Sequence, residues 1–269
     1  MLRTNNTEIA IGLNRPVRIL QIADVHLCYA DADDRPEIIE HTNMRKPFFP
    51  DALQNFQEAL AMEGHADRVV ICGDVLDTLS YGNLRQWQSI AKDHACMFTP
   101  GNHEFSLEHY DDPTTYEEKL NRQAQLAPFF QDGLEFASEV IGGVNLIALD
   151  NSDYCFHAPQ VEKMRAEIAK GLPIALFVHI PFYSESLVRA LHDKGKTPML
   201  LGFQEDEKKE LIKDPATEQM VELLRQSPLV RVVLAGHVHM QHDGLLPWGI
   251  PQHVEEGCYQ GSVGLITLT

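Results

Sequence analysis

The sequence predicts an α/β fold, two sheets with helices on the outside in one domain, and three observations predict it. Five short, mostly apolar runs, at 17–23, 69–72, 95–99, 174–178 and 231–234, each lead into His, Asp or Asn at the carboxyl end. Runs of this length suit strands buried on both faces. Between several of them lie stretches with helical spacing of apolar residues, such as Leu53, Phe56, Ala59, Leu60 and Met62 within 51–64. The tail to Thr269 alternates apolar residues with Gly and Thr, the habit of antiparallel edge strands.

Taken in order, residues 1–16 are polar and end in Asn14-Arg15-Pro16, which reads as a leader or edge hairpin. Strand 17–23 precedes Asp24-Val25-His26. Residues 29–50 lack periodicity and hold three prolines, so they read as a long irregular connection, a kind of loop that is usually functional or mobile. A helix over 51–64 ends near Gly64. Strand 69–72 runs into Gly73-Asp74, and a helix is expected over 82–92. Strand 95–99 enters Pro100-Gly101-Asn102-His103-Glu104, and 113–132 reads as a helix charged on one side. Strand 144–149 ends in Asp150-Asn151-Ser152, helix 159–170 leads to strand 174–178, and that strand ends in His179. Residues 184–215 are charged and broken by Gly and Pro, and read as an insertion. Helix 216–225 and strand 231–234 follow, then Gly236-His237-Val238-His239. There are no internal repeats and no linker.

Composition excludes several classes. A formal net charge of −17 over 269 residues argues against a broad nucleic-acid footprint, which needs clustered Lys and Arg. It leaves small anionic substrates open where metal ions supply local positive charge. The five cysteines are scattered with no Cys-x-x-Cys pair, and three lie in apolar runs, as in reduced cytosolic proteins. No basic-then-apolar leader begins the chain, and no apolar segment is long enough to span a bilayer. The expectation is a soluble cytoplasmic protein.

The strand-end polar residues carry the chemistry: Asp24 and His26, Asp74, Asn102 and His103, His179, then His237 and His239. In extended backbone, residues two apart point to one side, so Asp24 and His26 would aim at one ion. His237 and His239 share that spacing, although a turn after Gly236 would send them to two neighbouring ions. Carboxylate with imidazole suits Zn²⁺, Mn²⁺ or Fe²⁺ rather than Ca²⁺ or Mg²⁺. The set exceeds what one tetrahedral ion needs, and two ions sharing a carboxylate would use it. Packing alone would favour Val, Leu or Ala at these positions, because unpaired buried imidazole and carboxylate cost several kcal/mol.

The ordered pieces Asp-x-His, Gly-Asp-x-x-Asp, Gly-Asn-His-Glu, a strand-borne His and Gly-His-x-His resemble the calcineurin-like metallophosphoesterase family. They run from Asp24 to His239, and as a set they are specific. The resemblance implies a four-layer αββα sandwich, metallo-dependent phosphatase-like, with a dinuclear site at one sheet edge. It implies one ion on Asp24, His26, Asp74 and His239, and a second on Asp74, Asn102, His179 and His237, with Asp74 bridging. A metal-bridging hydroxide would attack phosphorus while the ions neutralise charge on the phosphoryl oxygens. His103 is the candidate donor to the leaving oxygen, and Asp77 resembles the family residue that orients it; helix capping is the plainer role for Asp77. Glu104 reads as a loop holder.

Departures narrow the reading. Thr78 follows Asp77 where the Ser/Thr protein phosphatases have Arg, and Asp77 stands where purple acid phosphatases have Tyr. The Gly-Asp-Val-Leu-Asp stretch, 73–77, also resembles the double-strand-break nucleases, but nothing past His239 is long or basic enough for a DNA-facing domain. A small phosphodiester or phosphomonoester is the expected substrate; a nuclease and a non-catalytic scaffold are the alternatives. Arg45, Lys46, Tyr183, Lys194 and Lys196 in the two departing segments, 29–50 and 184–215, would meet a second phosphate or a base, or else are solvated loop charge. His41, His109, His157, His192, His242 and His253 read as surface residues, with His109 or His192 able to approach the site. Oligomeric state leaves no mark on the sequence.

Overall fold

The computed structural model describes residues 2–130, 133–204 and 214–269. Its elements are β1 (Arg3–Ile9), β2 (Val17–Ile22), α1 (Pro36–Arg45), α2 (Ala52–Leu60), β3 (Arg68–Cys72), α3 (Tyr81–Ala91), β4 (Cys96–Thr99), α4 (Tyr116–Leu126), β5 (Phe136–Ile141), β6 (Val144–Leu149) and α5 (Ala158–Ile168). They continue with β7 (Ile174–Phe177), α6 (Glu185–Asp193), β8 (Met199–Leu200), β9 (Phe203–Gln204), α7 (Pro215–Gln226), β10 (Val230–Ala235), β11 (His242–Leu245), β12 (Pro251–Val254) and β13 (Ser262–Leu268). Two mixed sheets form, ordered β1-β13-β2-β3-β4 and β11-β12-β10-β7-β6-β5, beside a small β8-β9 hairpin.

The two-residue period of the strands sorts their side chains into separate cores. On β3, Val70 and Cys72 face the other sheet while Val69 and Ile71 face the helices; on β10, Val232 and Leu234 face inward while Val233 and Ala235 face the helices. The inter-sheet core joins these to Ile19, Leu146, Ala148, Ala175 and Phe177. On one outer side Phe56, Leu60, Leu84, Trp87 and Ile90 bring α2 and α3 onto the first sheet. On the other, Val161, Met164, Leu187, Leu191, Met220 and Leu224 bring α5, α6 and α7 onto the second. The result is helix, sheet, sheet, helix. Within it β2, β3 and β4 run parallel, as do β6, β7, β10 and β12, so their carboxyl ends gather along one edge.

The sequence reading departs from this in five places. Residues 29–50 are not irregular: α1 starts with Pro36 at its first turn and runs into a 3-10 turn, Lys46–Phe48. Its buried residues are Ile38, His41 and Thr42, so two of three are polar and the apolar period vanishes. The 184–215 segment contains α6, whose start is capped by the Ser184 hydroxyl accepting from Leu187 N–H at 3.3 Å; residues 205–213 of that segment lie outside the described residues. The N-terminus is no hairpin, because β1 pairs in parallel with the last strand, β13. Nor is β13 an edge: it is flanked by β1 and, antiparallel, by β2. Strand β5, which pairs with β6 through exposed residues, went unread because half of its residues face solvent. Among the described residues no helix is long and apolar enough to cross a membrane.

Candidate metal centre

The seven candidate ligands follow the carboxyl ends of β2, β3, β4, β7 and β10, but their backbone is not extended. Asp24, His26, Asp74, His237 and His239 all have left-handed φ, between 50° and 72°. The same-side argument for Asp24 and His26 therefore fails in its premise; their side chains converge because two successive left-handed turns aim them at one point. Gly73 has φ 78°, and a Cβ there would overlie the His179 ring and stand 2.6 Å from Gly101 N, so only glycine lets β3 pass this close to its neighbours.

The candidate ligands fall into two groups of donors, and a third group, His26, Asp77 and His103, lies beside them. Asp24, His26, Asp74 and His239 lie with their ligand atoms within 4.8 Å of one another, and so do Asp74, His179 and His237. Asp74 is common to both. Within the first, His239 Nε2 is 3.2 Å from Asp24 Oδ1 and 3.2 Å from His26 Nε2. Within the second, His179 Nε2 is 3.2 Å from Asp74 Oδ2 and 3.1 Å from His237 Nδ1. Donors sharing one ion at about 2.0–2.1 Å in tetrahedral geometry would stand about 3.3 Å apart. Asn102 lies between Gly101 and His103; a Cβ on Gly101 would come 2.8 Å from the His179 ring, and His103 N–H donates to Asp74 Oδ1 at 3.0 Å. The Asn102 Oδ1 atom is buried with no hydrogen-bond partner. A buried orphan carbonyl oxygen costs about 1–3 kcal/mol, and a cation is one partner that would satisfy it.

The outer nitrogen of each imidazole is engaged. His26 Nδ1 donates to Asp77 Oδ1 at 2.9 Å and His179 Nδ1 to Cys72 O at 2.8 Å. His237 Nε2 meets the Tyr154 hydroxyl at 3.0 Å, and His239 Nδ1 meets that of Tyr259 at 3.1 Å. Each remaining nitrogen faces the donor cluster, as metal ligation requires.

Charge follows the same pattern. Burial works against ionisation at Asp74, but His179 and His103 overcome it and hold the carboxyl well below its usual range. His179 is correspondingly raised to about 10, its burial outweighed by Asp74, while burial and the charge of His179 press His237 down to about 3. Cations bound here would displace protons from the same acceptors.

His103 does not lean on the Asp77 carboxylate, which is 3.8 Å away. Its Nδ1 instead donates to the Asp77 backbone carbonyl at 2.8 Å. The Asp77 carboxylate is held by Arg45, Nε to Oδ2 at 2.9 Å and Nη2 to Oδ1 at 2.7 Å, and it supports His26. Burial notwithstanding, Arg45 and His26 push Asp77 far below the usual carboxylate range. His103 is raised, the Asp74 and Asp77 carboxylates outweighing its burial. Glu104 is a loop holder: its carboxylate accepts from Asp74 N at 2.8 Å, Leu76 N at 2.9 Å and Gly101 N at 2.6 Å, while burial and Asp74 raise it to about 7.

Other expectations fare differently. Arg45 is spent on Asp77, Lys46 lies over the Tyr29 ring at 5.1 Å, and Lys196 donates to the carbonyls of Val238 and His239. His41 and His253 are buried, not superficial. His109 is near His41, its N–H 3.3 Å from His41 Nδ1. Sequence reasoning missed Tyr154, Tyr259, Phe49, whose ring stacks on His26 at 4.7 Å, and Asn151, whose Oδ1 accepts from His179 N and Ile180 N. Asn151 stood at a strand end and was legible by that rule; the aromatics left no pattern.

The model of the calcineurin-like phosphoesterase family matches residues 17–241, and the chain belongs to that family. It is accordingly a phosphoester hydrolase, and the family implies a dinuclear divalent-metal site. No curated protein matches the chain. Among solved structures, a dimetal phosphatase from Danio rerio is 15% identical, with TM-score 0.54 over 91% of this chain and 89% of that one. PhoD is 12% identical, with TM-score 0.51 over 97% of this chain and 60% of that one. A 5'-nucleotidase from Candida albicans is 13% identical, with TM-score 0.46 over 96% and 47%. The first two share the fold.

Proposed function

We propose that this chain, as one metallophosphoesterase domain, hydrolyses small phosphodiesters or phosphomonoesters at a site for two divalent ions. Asp24, His26, Asp74 and His239 would hold one ion and Asp74, Asn102, His179 and His237 the other, with Mn²⁺, Fe²⁺ or Zn²⁺ as the ions the donors suit. The observation that carries the reading is the Asp74 carboxylate shared by both donor groups beside the orphan Asn102 oxygen. Bound there, two ions would supply positive charge to a phosphoryl group and make water acidic enough to attack near neutral pH.

The chain's own groups do the rest. Asp77 fixes the His26 ring through its carboxylate and the His103 ring through its carbonyl. With Nδ1 committed to that carbonyl, His103 would deliver a proton to the leaving oxygen from Nε2. The carboxylates of Asp74 and Asp77 favour its protonated form. Substrates are small and phosphorylated rather than nucleic acid, given the net charge of −17. Five free thiols accord with a cytoplasmic setting.

The test is hydrolysis of bis(p-nitrophenyl) phosphate beside p-nitrophenyl phosphate after chelation and Mn²⁺ re-addition. Metal-dependent turnover favouring the diester makes this a phosphodiesterase; preference for the monoester makes it a phosphatase. Turnover that survives chelation would sink the dinuclear reading.

A further inference from the structure

Tyr154 and Tyr259 come from opposite halves of the site, and each meets one of the two histidines of Gly-His-x-His. Tyr154 stands after β6 and meets His237 Nε2; Tyr259 stands in the 3-10 turn Cys258–Gln260 and meets His239 Nδ1. The two rings thus present opposite nitrogens inward, Nδ1 of His237 toward His179 and Nε2 of His239 toward Asp24. A neutral imidazole carries one proton, on one nitrogen or the other. A proton on the inward nitrogen would fill the place a cation needs.

We propose that Tyr154 and Tyr259 are positioning residues that fix the tautomer and aim of one histidine in each metal half-site. The proposal rests on the dinuclear reading above. Each hydroxyl oxygen accepts the outer N–H, which leaves the inward nitrogen with a lone pair. Outer partners of ligating histidines are worth about 10–100-fold in metal affinity.

Both tyrosines are braced for this. Tyr154 is left-handed, φ 61°, a conformation costly for a bulky side chain. It is held by its N–H to Asn151 O at 2.9 Å and by its loop, where Lys119 Nζ is 2.8 Å from both Asp150 Oδ2 and Asp153 Oδ1. Tyr259 is tied to Asp24 O through its N–H at 3.2 Å and through its carbonyl to Asn55 Nδ2 at 3.0 Å. Its ring stands edge-on to Phe49 at 5.0 Å and to His239 at 5.1 Å. His26 and His179 take their outer partners from Asp77 and the Cys72 carbonyl, so the two tyrosines complete the set.

The experiment is calorimetric Mn²⁺ titration of wild type, Tyr154→Phe, Tyr259→Phe and the double variant, with thermal denaturation of each metal-free protein. Wild type is expected to bind two ions. Each single variant should lose at least about tenfold in one binding constant and little in the other, with different constants affected, and the double variant should lose both. Metal-free melting temperatures should stay within about 2 °C of wild type, since one oxygen is removed and the ring stays. Unchanged affinities in either single variant overturn the proposal while leaving the dinuclear reading intact. Affinity loss matched by a fall of several degrees in metal-free melting also overturns it, because the hydroxyl would then be structural. A wild type that binds fewer than two ions overturns the dinuclear reading itself, and the proposal with it.

Discussion

Arg45 read from sequence as either a substrate contact or solvated loop charge, yet its guanidinium forks onto Asp77, and replacing it by Met separates a structural role from a substrate one. The Asp77 carboxylate is fully buried, and the Arg45 side chain is 19% exposed. Breaking a fully buried ion pair by removing one partner costs about 3–5 kcal/mol; the partial exposure of Arg45 places this pair at the low end, about 3 kcal/mol. For a chain of this size that is about 6 °C in melting temperature, at about 2 °C per kcal/mol. The sign with pH follows from Asp77. Its folded pKa is depressed below the unfolded value of 3.8, so the stability it contributes is present above that pH and lost as pH falls through the folded value. The gap between wild type and Arg45→Met should therefore be full at pH 7 and shrink in strong acid. Urea denaturation at several pH values, with Mn²⁺ titration beside it, measures both; loosening of His26 should also weaken metal affinity. An Arg45→Met protein within about 0.5 kcal/mol of wild type, changed only in KM, would refute the reasoning and return Arg45 to the substrate.

Three further outcomes are expected. His103→Ala should retain two ions by metal analysis but lose about 10²–10⁴-fold in kcat, most with poor leaving groups; full activity would remove its role as donor. Lys119→Met strands the buried Asp150 carboxylate and leaves the partly exposed Asp153 with His157 alone, so melting should fall by about 6 °C; a fall under 2 °C would show that the cluster is not a brace. His253 is buried between Asp243 and Glu255, which outweigh its desolvation and raise it to about 9. A raised pKa contributes stability that is complete below the unfolded value of 6.5 and disappears as pH rises through about 9. The difference between wild type and His253→Gln should thus be on the order of 3 kcal/mol at pH 6 and much smaller at pH 10; a pH-independent gap would argue against the charge pair.

The parts of the fold visible in sequence were those governed by short-range pattern. The runs at 69–72 and 174–178 announce central parallel strands because both faces are apolar, and the polar residues after them mark the edge where ligands bind. What stayed hidden depends on distant partners. Helix α1 buries His41 and Thr42 instead of an apolar stripe. Strand β13 is interior only because β1, from the other end of the chain, covers its free edge. At the site, residue types marked the side chains that gather, but Tyr154 and Tyr259 meet them through single hydroxyls at 3.0 and 3.1 Å, a direction no local period encodes. Asp77 was placed beside His103 by pattern, yet His103 meets its carbonyl, which every residue has, while the carboxylate meets His26.

The left-handed turns at Asp24, His26, Asp74, His237 and His239 bear on how the site is held ready. Non-glycine residues in this region cost about 1–3 kcal/mol each, so five cost about as much as a domain's whole stability of about 5–15 kcal/mol. Surrounding structure must over-determine them, and here the strand ends brace one another. Asp24 N–H donates to Gly73 O at 3.0 Å, His26 N–H to Asp74 O at 2.9 Å and Asp77 N–H to Leu27 O at 2.9 Å, so the β2 and β3 loops continue a ladder past the sheet. His237 N–H donates to both oxygens of Asp24, at 3.1 and 2.9 Å, which ties the second sheet's loop to the first. Glu104 then anchors Asp74 and Gly101 from below. Asp24, His26, Asp74 and His237 are thus each fixed by a partner from another strand's end, and the energy comes from the three cores that hold those strands in register. Side chains held this way would lose little freedom on binding an ion, so binding energy would go to the ion rather than to ordering loops.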